Sequence, residues 1–304
     1  MKIQNKKCDA VFEGGGVRGI AFTGAVHYLE SRGYYFNNVA GTSAGAIIAS
    51  LLASGYSGKE LSDIICNIPY DEFRDKSTMD KLPLIGPFVS LVFDKGIYEG
   101  EFFEQWIKDK LADKGIHTFA DLKNGEDYRF QCIATDITAQ RRVILPQDSV
   151  YYGIQPDKLS VAKAVRMSMS IPYFFEPVII NDNYIVDGAI ASNYPVWLFD
   201  SPQSPRWPTF GFRLVGNGNG KPNQIDGPVT FGLAILNTMF EASIDKDIGS
   251  NDWARTIEID TYDVGTTEFD IKPDRICMLY NSGRKAAELF LNKWNFERYK
   301  RVWR

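Results

Sequence analysis

Three short motifs of the sequence contain groups that could take part in a reaction: GGGVRG, GTSAG and DGA, in this order. The second fits the pattern G-x-S-x-G, in which a serine occupies a tight turn between a strand and a helix and exposes its hydroxyl for nucleophilic attack. The small residues Gly41 and Gly45 would permit such a turn around Ser43. Ser43 is therefore the candidate nucleophile, and the alternative is a loop that contains a serine by chance.

A serine nucleophile needs a base, and the sequence has only two histidines, His27 and His117. The order Ser-Asp-His of α/β-hydrolases requires a histidine late in the chain, and none follows His117. We expect a helix-face position for His27 and a turn for His117. Asp187 is the favoured base, because it ends an apolar run (YIVD) and precedes the small residues Gly188 and Ala189. An ordinary Asp-Gly turn is the alternative.

The glycine-rich stretch from Gly14 to Gly19 predicts a site for an anion. Successive N–H groups between a strand and the start of a helix form such a site, and the helix dipole strengthens it. The spacing G-x-G-x-x-G also fits a dinucleotide fingerprint, which requires an acidic residue at the end of the second strand. That strand ends in Gly41-Thr42-Ser43 instead. We therefore predict that the stretch binds the oxyanion that forms when Ser43 attacks a carbonyl group.

The pattern of apolar residues places all three motifs where strands end. CDAVFE (8–13) and NNVAG predict strands, and each is followed by a glycine-containing turn and a helix with apolar residues at helical spacing. PVIINDNYIVDG predicts one further strand, which ends at Asp187. Strands and helices go on alternating as far as two late helices, near 228–246 and 274–300.

The overall composition excludes several other classes of function. The chain has 304 residues, of which 44% are hydrophobic, and a net charge of -4, which gives no overall attraction to nucleic acid. Four scattered cysteines without a Cys-x-x-Cys pair favour reduced, buried thiols over a disulfide framework or a zinc site. The basic amino terminus lacks the apolar region of a signal peptide. These features predict a cytoplasmic protein.

With the three motifs in this order, the sequence resembles the patatin-like phospholipases, a family of lipid acyl hydrolases with a Ser-Asp dyad. The segments ATDITAQRRVIL and RMSMSIPYFFEPV also resemble the family, and the resemblance covers roughly residues 8–200. It implies a three-layer α/β/α fold around a central, mostly parallel sheet. It also implies a phospholipid or another acyl-ester lipid as the substrate, with no metal and no cofactor.

The resemblance further implies a role for each motif. Ser43 attacks an ester carbonyl, Asp187 takes the proton, and water then releases the fatty acid from an acyl-enzyme. The implied oxyanion donors are Gly14, Gly15, Gly16, Val17 and Arg18, and the implied supporting residues are Gly19, Gly41, Gly45, Gly188 and Ala189. Glu13 stands where many members have aspartate, and we expect its side chain to point away from the donors. Arg18 is expected to support the loop or to bind a lipid phosphate.

A single domain over residues 8–304 is expected, with a mostly helical insertion or cap at about 59–113 and a helical part at about 274–304. Two segments could make peripheral contact with a membrane: the apolar run Leu82 to Phe93, too short to span a bilayer, and the basic aromatic tail Lys293 to Arg304. A buried cap is an equal alternative for the run, and an ordinary amphipathic helix is favoured for the tail.

Two other functions would use the same fold. A thioesterase or an acyltransferase could employ the same dyad. A lipid-binding protein without enzymatic activity is disfavoured, because all three motifs are intact and a binding protein would have no need for Ser43.

Overall fold

The structure, a computed structural model, describes residues 6–68, 96–98, 100–216, 225–249, 252–266, 268 and 271–302. The apolar run Leu82 to Phe93, part of the predicted insertion and the last two residues of the tail lie outside these ranges. Within the described residues, no helix has both the length and the hydrophobicity that a membrane span requires.

Twelve strands occur in the described part of the chain, and eight of them form one central sheet. In chain order the strands are β1 (Lys6–Phe12), β2 (Tyr34–Thr42), β3 (Gly96–Tyr98), β4 (Lys123–Asn124), β5 (Asp127–Tyr128), β6 (Phe130–Asp136), β7 (Arg141–Leu145), β8 (Tyr173–Phe175), β9 (Val178–Ile180), β10 (Asn183–Asp187), β11 (Thr209–Val215) and β12 (Thr256–Asp260).

The central sheet has the strand order β12-β11-β1-β2-β6-β10-β9, and β7 also pairs with β6. The first five strands of this order are parallel, whereas β10, β9 and β7 are antiparallel to their neighbours. Parallel strands are covered on both faces, which explains the unbroken burial of the second half of β1 and of β2. The predicted α/β fold around a mostly parallel sheet is confirmed.

Helices flank this sheet. In the described residues the α-helices are α1 (Ile20–Ser31), α2 (Ala44–Ala53), α3 (Gly58–Cys66), α4 (Glu101–Ala112), α5 (Val161–Ser168), α6 (Pro228–Asp247), α7 (Pro273–Lys293) and α8 (Phe296–Val302). α1 packs on α7 and α3, while α2 packs on β2 and β6. Small residues in α2 allow it to lie close to the sheet beside the turn at Ser43.

Three details of the sequence prediction were wrong. The helix predicted near 274–300 is divided into α7 and α8, because Trp294 adopts an extended conformation with ψ 133°. The segment PVIINDNYIVDG forms a hairpin of β9 and β10 rather than one strand, because Asn181 and Asp182 adopt positive φ angles of 48° and 62°. Consecutive positive φ angles at Asn or Asp are typical of a two-residue hairpin turn. The four cysteines are free as expected, but only Cys8 and Cys132 are buried, and Cys277 is exposed.

Part of the C-terminal tail packs against the core. The ring of Trp294 stacks on Phe290 and meets Phe210 edge-on, with centroid distances of 5.3 and 4.9 Å. Tyr299 is buried as well. The described part of the tail therefore agrees with the favoured alternative, an amphipathic C-terminal helix.

Candidate active site

Ser43 occupies the sharp turn between β2 and α2. Its backbone has φ 54° and ψ -124°, a conformation that non-glycine residues seldom adopt. Glycines allow the tight packing around it, because a Cβ atom on Gly41 would lie 2.4 Å from the Gly45 carbonyl, and one on Gly45 would lie 2.4 Å from the Phe12 carbonyl. A strained turn of this kind, held by its surroundings, is the geometry expected for a G-x-S-x-G nucleophile.

Sheet register brings Asp187 level with Ser43. Thr42 at the end of β2 pairs with Ile133 of β6, and Asp187 at the end of β10 pairs with the next residue of β6, Ala134. Because β10 runs antiparallel to β6, its carboxyl end stops in the middle of β6, at the height of the Ser43 turn.

The chain after Asp187 then turns toward β2. A Cβ atom on Gly188 would lie 2.2 Å from the Ile133 carbonyl oxygen and 3.0 Å from the Thr42 side chain, so only glycine fits there. Farther on, the Thr42 hydroxyl donates a hydrogen bond to the Ser192 carbonyl at 2.9 Å. The DGA and GTSAG motifs are thus in contact.

The Asp187 carboxylate is fully buried, and one of its two oxygens accepts a hydrogen bond. Its Oδ1 accepts the Ala189 N–H at 2.8 Å, whereas its Oδ2 makes no hydrogen bond. Burial raises the pKa of Asp187 from 3.8 to about 7, although the Ser43 hydroxyl and the Ala189 N–H favour the ionised form. The Ser43 side chain therefore lies beside this carboxylate.

The structure shows which of the five predicted oxyanion donors in the glycine-rich loop already donate hydrogen bonds within the protein. Three of them bind carbonyl oxygens of the protein: Gly14 donates to Asn193 at 3.0 Å, Val17 to Thr266 at 3.0 Å and Arg18 to Gly15 at 3.2 Å. Within the described residues, the N–H groups of Gly15 and Gly16 have no acceptor. A Cβ atom on Gly16, where φ is +55°, would lie 2.0 Å from the Thr266 carbonyl oxygen, so this position requires glycine.

Three charged or small residues fix the shape of this loop. The Arg18 Nε donates to the Gly15 carbonyl at 3.4 Å, so Arg18 supports the loop, which is one of its two expected roles. The Glu13 carboxylate accepts hydrogen bonds from the Leu214 N–H of neighbouring β11 at 2.7 Å and from Asn193 Nδ2 at 3.5 Å. A Cβ atom on Gly19 would approach the Ala44 Cβ to 3.1 Å, which explains a small residue there.

A cleft of about 600 Å³, including its open mouth, begins at Ser43 and Gly16. Among the described residues that line this cleft, Ser43 contributes the only polar side chain. Its apolar wall includes Ile47 and Ile48 of α2, Ile65 of α3, Phe103 of α4, and Ile171 and Phe175.

Sequence reasoning assigned no role to residues 168–170, which contact both Ser43 and Asp187. Ser168 Oγ accepts the Ser43 N–H at 3.0 Å, and the Ser170 carbonyl accepts the Asp187 N–H at 2.9 Å. Both residues are fully buried. The signal was present in the segment RMSMSIPYFFEPV, where two serines in an apolar stretch are candidates for buried hydrogen bonds.

The histidines occupy other parts of the structure. His27 Nδ1 lies 2.7 Å from the Tyr280 hydroxyl, between α1 and α7, and His117 is exposed. Neither lines the cleft. In the part of the chain that the structure describes, no three His, Cys, Asp or Glu residues are grouped so that they could hold a metal ion.

Comparison with known proteins finds relatives of similar sequence. The chain is 39% identical over 294 residues to the uncharacterized protein YqhO of Bacillus subtilis, covering 95% of this chain and 99% of the relative. It is 26% identical over 189 residues to the probable lipid hydrolase 463L of invertebrate iridescent virus 6, covering 61% of each chain.

A solved structure, VipD from Legionella pneumophila, has a similar fold. The TM-score is 0.57 at 18% identity, and the match covers 95% of this chain and 67% of that chain. The family model of the patatin-like phospholipases matches residues 10–200, which contain all three motifs. The chain therefore belongs to the patatin-like phospholipase family.

Proposed function

We propose that the protein hydrolyses acyl-ester lipids through a dyad of Ser43 and Asp187. The observation that carries this proposal is the buried carboxylate oxygen Oδ2 of Asp187, which has no hydrogen bond and lies beside the strained serine turn at the foot of an apolar cleft. A buried carboxylate oxygen without a hydrogen bond is costly, and such costs concentrate at functional sites. Membership of a phospholipase family gives the substrate class, an acyl-ester lipid.

The proposed reaction has two halves, the formation and the hydrolysis of an acyl-enzyme, and each half includes two proton transfers. Ser43 Oγ attacks the ester carbonyl while Asp187 takes the hydroxyl proton, and the N–H groups of Gly15 and Gly16 stabilise the oxyanion. Asp187 then protonates the departing alcohol oxygen, which leaves an acyl-enzyme. Water attacks this ester with Asp187 again as base, and the fatty acid is released as Ser43 regains its proton.

The raised pKa of Asp187 fits the role of a base. A general base works best when its pKa lies near the working pH, and a carboxylate with an ordinary pKa of 3.8 is a weak base for a hydroxyl. Burial brings the pKa to about 7, so the carboxylate is both ionised and basic near neutral pH. We propose that the cleft holds the acyl chain, since every wall residue that the structure describes, other than Ser43, is apolar.

Helix α6 offers a surface for peripheral contact with the lipid phase. Phe231, Ile235 and Met239 are spaced four residues apart on one helix face and are 54%, 46% and 38% exposed. The same helix reaches the site, because Gly232 packs on Tyr173, between the cleft residues Ile171 and Phe175. We propose that this face rests on the membrane from which the lipid enters the cleft.

The experiment compares the wild type with Ser43→Ala, Asp187→Asn and the control Ser54→Ala, which removes a hydroxyl bonded within α2. We expect hydrolysis of phosphatidylcholine or lysophosphatidylcholine by the wild type and the control only. A chain that binds these lipids without releasing fatty acid, and that does not react with a fluorophosphonate, would favour the non-enzymatic alternative. Faster turnover of an acyl thioester would favour a thioesterase.

A further inference from the structure

Residues 192–197, which we call the strap, join the three motifs of the candidate site. The strap follows the Asp187 turn, and its first carbonyl, at Ser192, accepts the Thr42 hydroxyl at 2.9 Å. Its second carbonyl, at Asn193, accepts the Gly14 N–H at 3.0 Å. Thr42 precedes Ser43 and Gly14 precedes Gly15, so a shift of the strap would move the nucleophile and the oxyanion donors relative to Asp187.

The last turn of α6 holds the strap with two side chains, Ser243 and Asp247. Ser243 Oγ accepts the Asn193 N–H at 2.8 Å. Asp247 accepts hydrogen bonds from three groups of the strap: Ser192 Oγ at 2.9 Å to both carboxylate oxygens, the Tyr194 N–H at 2.9 Å and Trp197 Nε1 at 3.2 Å. The two residues lie one helical turn apart, on the same face of α6.

The hydrogen bonds with the strap also stabilise the buried carboxylate of Asp247. Its side chain is buried, and in the described residues no cation lies within ion-pair distance of it. A buried carboxylate without hydrogen bonds is strongly unfavourable, so the strap lowers the free-energy cost of burying Asp247. The Arg142 guanidinium, 4.1 Å above the Trp197 ring, adds positive charge nearby.

We propose that Asp247 and Ser243 are positioning residues for the dyad, which act through the strap to align Ser43, Asp187 and the glycine-rich loop. The inference rests on the proposed function. Both residues lie outside the stretch 10–200 that the family model matches. Helix α6 would therefore set the geometry of a site whose motifs all come from the first two thirds of the chain.

The test uses Asp247→Asn, Ser243→Ala and the control Thr238→Val. Thr238 is an exposed residue of α6 whose hydroxyl bonds only to the Ala234 carbonyl of the same helix. For each purified variant we would measure kcat and KM for 4-nitrophenyl butyrate, the rate constant for labelling by a fluorophosphonate, the fraction of labelled sites and the melting temperature.

Misplacement by about 1 Å costs on the order of 100-fold in rate. We therefore expect Asp247→Asn to lower kcat per labelled site by about 10- to 100-fold, with a parallel fall in the labelling rate and a KM within about twofold of the wild type. Ser243→Ala, which loses one of these hydrogen bonds, should lower both rates by about 3- to 10-fold. Thr238→Val should match the wild type.

A role in stability alone would lower the melting temperature or the labelled fraction and leave kcat per labelled site unchanged, and this result would overturn the inference. Ser243→Ala carries the same test if Asp247→Asn does not fold. Failure of the wild type to react at Ser43 is a separate outcome that counts against the proposed function itself. A reactive wild type with equally reactive variants counts against the positioning role alone.

Discussion

Replacing Asp187 by asparagine should make the folded protein more stable above neutral pH while it abolishes activity. The asparagine keeps an oxygen for the Ala189 N–H, and its amide group can donate to the Ser43 hydroxyl beside the carboxylate. It removes the charge that the fully buried site disfavours. A residue kept for catalysis at the expense of stability has this signature.

The size of the effect follows from the pKa of Asp187. Burial raises it from 3.8 to about 7, and this difference of about three pKa units corresponds to at most about 4 kcal/mol at about 1.36 kcal/mol per unit. The unfolded chain loses its proton near pH 4 and the folded protein near pH 7. Wild-type stability therefore falls as the pH rises from about 4 to about 7, and Asp187→Asn escapes this loss.

Thermal unfolding of both proteins from pH 4 to pH 9 measures the difference directly. At about 2 °C per kcal/mol for a chain of this size, the variant should melt up to about 8 °C above the wild type at pH 8 and close to it at pH 4. Asp182→Asn, which removes an exposed carboxylate from the adjacent hairpin turn, controls for the change in net charge. A variant no more stable than the wild type at pH 8, or a difference independent of pH, would refute the reasoning.

The remaining predictions concern the reaction, the cleft and the surface. Because Asp187 must be ionised to act as base, kcat/KM for a neutral ester should rise about tenfold per pH unit below about pH 7 and level off above it. A kcat/KM that does not change with pH would exclude Asp187 as the base. Ile47→Trp should narrow the cleft and lower kcat/KM for palmitoyl esters about tenfold more than for butyryl esters. The reason is that two methylenes excluded from the cleft are worth about 1.6 kcal/mol. An equal loss for both esters would show that the acyl chain binds elsewhere. The double variant Phe231→Ser and Ile235→Ser should sediment less with phosphatidylcholine vesicles than the wild type or the control Leu289→Ser. Its hydrolysis of a soluble ester should be unchanged. Equal sedimentation of all three proteins would show that the α6 face does not bind the membrane.

The sequence predicted those parts of the site that depend on neighbours in the chain. Gly41, Ser43 and Gly45 form a tight turn because glycines permit it, and the apolar runs before Gly14 and Asp187 form strands. These are local effects, so a pattern of a few residues indicates them. The hairpin at Asn181 and Asp182 was also local, but its turn residues were read as part of a longer strand.

Contacts between distant segments could not be predicted in the same way. Which N–H groups of the glycine-rich loop are available depends on carbonyl oxygens of Asn193 and Thr266, far along the chain. The hydrogen bond from Ser192 to Asp247 joins residues that lie 55 positions apart in the chain. The raised pKa of Asp187 likewise comes from burial, which the whole fold produces. No short motif encodes these features.

Labelling by a fluorophosphonate, with the modified residue identified by mass spectrometry, tests the central claim most directly. We expect one label per chain, on Ser43, with no label in Ser43→Ala and labelling slowed at least about 100-fold in Asp187→Asn, as expected for loss of a general base. A label on another residue, or equal labelling of the wild type and Ser43→Ala, would contradict it.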